Sequence, residues 1–180
     1  MTQKEHLLVH IDALYRSALY LAKNENNADD LVQETFLKAF KFLHDDKEIR
    51  NIKAWLFKIL MNTFINKYRK DKREPSLVDF DSIESFYGSL EEEAQMSPIT
   101  ENEAEFNKLL DDDVKKALEE LPDDFRMVIL LSTVEGFSYK EISKMVGCPV
   151  GTVMSRIYRG RKMLKEKLAN YARKYGYERE

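Results

Sequence analysis

Apolar residues recur three and four positions apart along most of this chain, and no other sequence feature limits the fold as strongly. Leu7, Ile11, Leu14 and Ala18 make one such stripe, and Val32, Phe36, Phe40 and Leu43 a second. A third, Ile52, Leu56, Ile59 and Thr63, lies on a helix predicted from Ile52 to Arg69. Asn27, Asp29 and Asp30 suit the start of the second helix, because an acceptor side chain and negative charge meet unpaired backbone N–H groups there. Six Gly and four Pro in 180 residues are too few for a turn-rich all-β fold. The expected fold class is all-α, with a three-helix first domain over residues 1–72.

A second helical domain is predicted over 109–174, followed by a tail at 175–180. Val114, Leu118 and Leu121 begin it near Leu109, and Pro122-Asp123-Asp124 opens a new helix that runs through FRMVILLST to Glu135-Gly136. Ser138-Tyr139-Lys140-Glu141 has the capping-box form, in which Ser accepts from the third residue's N–H and Glu reaches back to the cap. Ile142, Met145 and Val146 follow as a buried stripe, Gly147 stops the helix, and Pro149 begins another. Val153, Ile157, Leu164 and Leu168 give that last helix its apolar side. A short helix, a Gly-containing turn and a longer basic helix form a helix-turn-helix.

The net charge of −3 hides a segregation. Nine Lys and Arg face two acids from Lys47 to Arg73, and ten face two from Ser138 to Lys174. Between them, Glu74 to Asp113 carries thirteen acids and one base, Lys108. Basic islands are either phosphate-binding surfaces or solvated helix faces. The acidic stretch lacks sustained apolar periodicity and reads as a linker, 73–108, poorly ordered by itself, with weak hydrogen-exchange protection expected from Glu74 to Glu103.

Chemistry concentrates in two helices. In a helix-turn-helix the second helix enters the major groove, where Arg pairs with guanine and Ser or Thr reaches bases or phosphates. The candidates are Thr152, Ser155, Arg156, Arg159 and Lys162, opposite Val153 and Ile157. Gly151 and Gly160 each cost that helix about 1 kcal/mol relative to Ala, which close approach of a backbone or a phosphate would explain. In the third helix, Trp55, Lys58, Asn62, Asn66 and Arg69 share one side. An aromatic ring, amides and cations together can hold unpaired bases, although a lone Trp at helical spacing is also an ordinary core residue.

Enzymatic motifs are lacking, so no catalytic residues are expected. His6 and His10 have no third ligand in a recognisable motif, and no metal or cofactor is expected. Cys148 rules out an internal disulfide and reads as a small packing residue. The charged N-terminus resembles neither a secretory signal nor a membrane span, so a soluble cytoplasmic protein without membrane insertion is expected.

Asp30-Leu31-Val32-Gln33-Glu34-Thr35-Phe36, Trp55-Leu56-Phe57-Lys58-Ile59 with Asn62-Thr63, Leu121-Pro122-Asp123-Asp124-Phe125-Arg126, and Gly136 to Ile142 with Cys148 to Val153 and Ser155-Arg156 stand in order along the chain. Together they resemble the extracytoplasmic function (ECF) subfamily of bacterial RNA polymerase sigma factors. The resemblance implies a sigma-two domain, a sigma-four domain, and a protein that binds core RNA polymerase and directs transcription initiation at specific promoters. It implies docking on the β′ clamp helices through Asp30, Leu31, Gln33 and Glu34, with Leu31 alternatively a core residue, and a further contact with the β flap. It assigns Arg50, Asn51, Lys53, Trp55, Lys58, Asn62 and Asn66 to recognition and opening of the minus-ten element. It places Thr152, Ser155, Arg156, Tyr158, Arg159 and Lys162 at the minus-thirty-five element. An anti-sigma protein is a further implied partner.

Two departures bear on promoter sequence. Asp45-Asp46-Lys47 stands where relatives often carry an aromatic, and Met154 stands where many have a basic residue. A linker of roughly 35 residues reaches on the order of 115 Å extended, against roughly 70 Å between elements about twenty base pairs apart. Its random-coil span is only about 30–35 Å, so it must be held extended, and the resemblance implies polymerase as the partner that holds it. The competing readings are a stand-alone helix-turn-helix regulator, which would not co-purify with polymerase, and a nucleic-acid enzyme, which would turn over without it.

Overall fold

The computed structural model describes residues 2–43, 48–68 and 112–175. Those residues are helical, with no strand among them, as the apolar spacing requires. The predicted linker, Leu109, the Asp45-Asp46-Lys47 segment, Arg69 and the end of the tail lie outside the described residues. Two compact units are formed, one built on the first four helices together with Ser143–Gly147, the other on the remaining described residues from Asp112 onward.

In the first unit the predicted first helix is two, α1 (Gln3–Leu8) and α2 (Ile11–Ala22). Thr2 and Glu5 form a capping box on α1, and the chain departs from helical geometry at His10, with ψ near 3°. That break takes Ile11 out of the stripe: Leu7, Leu14 and Ala18 are buried, whereas Ile11 is exposed. Helix α3 (Glu25–Phe42) begins three residues before the expected start, because Asn24 is its cap and accepts from Asn27 N–H at 2.8 Å. Asn27 instead lies inside the first turn, where its carbonyl accepts from the Tyr68 hydroxyl at 3.3 Å. Ala28, Leu31, Val32, Thr35, Phe36 and Ala39 face inward, and the Thr35 hydroxyl donates to the Leu31 carbonyl at 2.7 Å. Phe40, expected in this stripe, is exposed.

Helix α4 (Ile52–Tyr68) packs against α1, α2 and α3. Every residue from Ala54 to Phe64 is buried, so the expected one-sided stripe is too narrow. A helix apolar almost all round must be enclosed. Lys67 and Lys38 both reach Glu34, at 3.3 and 2.9 Å, and Lys38 also donates to the Thr63 hydroxyl at 3.1 Å.

In the second unit, α5 (Asp112–Glu119) and α6 (Asp123–Ile129) meet at the Leu121-Pro122 corner. Arg126 fixes this corner from a fully buried position, donating to the Leu121 carbonyl and the Asp123 carboxylate, both at 2.5 Å. The expected continuous helix changes at Leu130 into a π-turn over Leu130–Val134, closed by Glu135 N–H on the Leu130 carbonyl at 3.1 Å. Gly136, at φ 72°, ends it. Helix α7 (Tyr139–Val146) carries the expected capping box: Ser138 N–H donates to Glu141 at 2.8 Å, and Glu141 N–H to the Ser138 hydroxyl at 3.2 Å. Gly147, at φ 71°, makes the turn that few L side chains tolerate. Helix α8 (Val150–Tyr175) packs on α6 and α5. At Gly160 an added Cβ would come within 3.0 Å of the Ile129 side chain, so this glycine serves helix packing. At Gly151 the same atom would meet nothing within 4 Å.

Candidate functional site

Helix α3 sets out a polar face. Asp30 and Gln33 are exposed, and Glu34 is half-buried between Lys38 and Lys67. Burial pushes the Glu34 carboxyl up, but hydrogen bonds and charge from the two lysines outweigh it and leave the group below its ordinary value. Leu31 is fully buried and offers no contact surface, so its place in the docking set is corrected to core support. The predicted set lacked Leu37, which follows Asp30, Gln33 and Glu34 on the same face one and two turns on and is 62% exposed. Its signal in sequence was an apolar residue beside the apolar stripe rather than in it.

Before and along α4 the predicted nucleic-acid residues separate. Arg50 is exposed, Lys53 is partly exposed with its ammonium 6.0 Å from the centre of the Phe57 ring, and Asn66 is exposed. Asn51 caps the helix, its side-chain oxygen accepting from Ala54 N–H at 3.0 Å. Trp55 is 0% exposed, and Lys58 and Asn62 are each 7% exposed. With these three enclosed, the accessible aromatic and amide row expected from spacing does not exist in this conformation; the Lys58 ammonium donates to the Lys144 carbonyl and, at 3.1 Å, to the Met145 carbonyl. Burial lowers the Lys58 ammonium to about 8. The Asn62 side-chain nitrogen is buried with no hydrogen-bond partner.

Helix α8 behaves differently. Val153 and Ile157 are buried, while Ser155, Tyr158, Arg159 and Lys162 are exposed and Thr152 is half-buried. The Ser155 hydroxyl donates to the Thr152 carbonyl at 3.0 Å. Arg156 is half-buried, with one nitrogen 3.8 Å from an Asp124 carboxylate oxygen and another 3.7 Å from Cys148 Sγ. Burial pushes the Cys148 thiol up, which suits a packing role better than a nucleophilic one. Met154, which the sequence marked only as a departure, is exposed on this helix. Among the described residues no three His, Cys, Asp or Glu side chains gather as a metal site, and no helix is long and apolar enough to cross a membrane.

A helical unit followed by a helix-turn-helix with a basic outer face defines a DNA-binding class of protein, and the family comparisons narrow it. Sigma-70 region 2 matches residues 8–74, and Sigma-70, region 4 matches residues 111–164. The ECF RNA polymerase sigma factor EcfG of Rhodopseudomonas palustris is 35% identical over 161 residues, covering 89% of this chain and 82% of the relative. Among solved structures, the sigma factor RpoE in complex with the anti-sigma factor NepR from Bartonella quintana superposes with a TM-score of 0.65 at 34% identity, covering 92% of this chain and 96% of that one. CnrH in complex with the cytosolic domain of CnrY gives 0.59 at 26% identity, covering 92% and 86%. The chain belongs to the ECF family of RNA polymerase sigma factors. It is an RNA polymerase-binding, promoter-specific transcription initiation factor.

Proposed function

We propose that α3 docks on the β′ clamp helices of polymerase through Asp30, Gln33 and Glu34 set around Leu37, and that α8 reads the minus-thirty-five element through Thr152, Ser155, Arg156, Tyr158, Arg159 and Lys162. The observation that carries this reading is the division of α8 into a buried Val153 and Ile157 side and an exposed side holding Ser155, Tyr158, Arg159 and Lys162. An apolar residue ringed by polar ones is the usual arrangement of an interface anchor, which supports Leu37. Arg50, Lys53 and Asn66 are accessible for the minus-ten strand. Asn51 supports them as the cap of α4, while Lys58 and Asn62 act there once uncovered. The unmet amide of Asn62 favours this, since a buried donor without a partner costs about 1–3 kcal/mol. The protein works in the cytoplasm by binding rather than by turnover, with a second contact on the β flap. An anti-sigma protein restrains it, in keeping with the partners bound to RpoE and CnrH.

The test is reconstitution with core polymerase, followed by run-off transcription from a genomic fragment library. Wild type is expected to confer defined start sites. Leu37→Glu is expected to keep its unfolding midpoint and to lose polymerase affinity by on the order of tenfold or more. Unchanged affinity would remove Leu37 from the docking face, and absence of polymerase binding by wild type would remove the whole reading.

A further inference from the structure

We propose that Met154 is a specificity-determining residue that reads the C5-methyl group of a thymine in the minus-thirty-five element. The inference rests on the proposed placement of α8 in the major groove. Met154 lies in the second turn of α8, four residues after Val150, and is 53% exposed. It is not part of the core stripe, since its neighbour Val153 and then Ile157 fill that role at 0% and 2% exposure. Tyr158, one turn further on, is 73% exposed, and Ser155 beside it is also exposed. The surrounding outer face carries Arg159, Arg161 and Lys162, all exposed, so its charge suits a phosphate-flanked groove rather than an apolar protein surface.

Position and chemistry then narrow what Met154 can do. The N-terminal residues of a recognition helix are those that reach base edges. A thioether carries no N–H or O–H donor and only a weak acceptor, so it cannot pair with guanine as Arg does. Of the four bases, thymine alone presents an apolar group in the major groove. A flexible, polarisable side chain adapts to such a methyl group, and the contact removes both from water. Met154 therefore prefers thymine where a basic residue in its place would prefer guanine.

The experiment uses full-length protein in reconstituted holoenzyme. The minus-thirty-five element is first selected from a randomised promoter pool, and each thymine on either strand is then replaced by deoxyuridine, which lacks only the methyl group. At one thymine, this replacement is expected to weaken wild-type binding by about fourfold, the worth of one buried methyl group. The same replacement should leave Met154→Ala unaffected, and Met154→Arg should select guanine at or beside that position. The proposal is overturned if no thymine responds to methyl removal, if the response is the same in Met154→Ala, or if the selected element holds no thymine. Arg159→Ala and Ser155→Ala identify the level of failure. If they weaken promoter binding while residue 154 has no effect, only the thymine assignment falls; if they too have no effect, the placement of α8 on DNA falls with it.

Discussion

Trp55 is the largest side chain that the fold encloses completely, and its position argues for structural work before any contact with DNA. Trp55→Ala should lower unfolding free energy by about 3–5 kcal/mol, a large share of the roughly 5–15 kcal/mol that holds a domain together. Urea denaturation measures this, and permanganate footprinting at matched folded fraction separates it from a melting defect. Wild-type stability with lost strand opening would return Trp55 to the nucleic-acid surface. The two glycines of α8 also divide at this scale. Gly160 is explained by the Ile129 side chain against it, whereas Gly151 faces open space, which leaves it free for close approach of a phosphate.

Helix α3 is joined to α4 by a carboxylate held between two ammonium groups, Glu34 with Lys38 and Lys67. Burial raises the Glu34 pKa and the lysines lower it further, so the folded value lies below the ordinary 4.5. A depressed carboxyl pKa stabilises the fold above the unfolded value, and that contribution is lost as pH falls through the folded one. Lys67 is shifted the other way: burial opposes the change, but the Glu34 hydrogen bond and charge raise it, so its contribution persists until strongly alkaline pH. The three side chains are more than a third exposed or close to it, so solvent screening keeps the effect small. Glu34→Gln should therefore have a lower urea midpoint than wild type at pH 7, the difference shrinking as pH falls below the ordinary carboxyl value and through the depressed folded one. A gap that persists into acid would show that the bridge is not its source. The α7 capping box belongs to the same scale: four residues of sequence announced it, and the two reciprocal bonds are present.

For the whole molecule, promoter binding should carry the salt dependence of counterion release. Each phosphate-contacting cation on α8 removed by substitution should reduce the slope of log affinity against log salt by about one, as measured with holoenzyme on promoter duplex. Arg159→Ala and Lys162→Ala are the variants to compare, and slopes equal to wild type would assign both to solvated surface. Much of this molecule was legible in its sequence because helix spacing, caps and turn glycines act over a few residues. The all-α class, the helix-turn-helix, and the outward Ser155, Tyr158, Arg159 and Lys162 follow from such local rules and from the family pattern of the motif blocks. Local rules could not tell that α4 is enclosed on every side, that Leu31 is core while Leu37 is surface, or that the helix after Pro122 changes to a π-turn at Leu130. Those outcomes depend on which neighbouring helices lie against each face, and an amino-acid sequence records the spacing of side chains but not the surfaces that meet them. The sequence thus determined the helices and the family by itself; burial, and with it which side chains stay free to bind, was decided only when the helices packed.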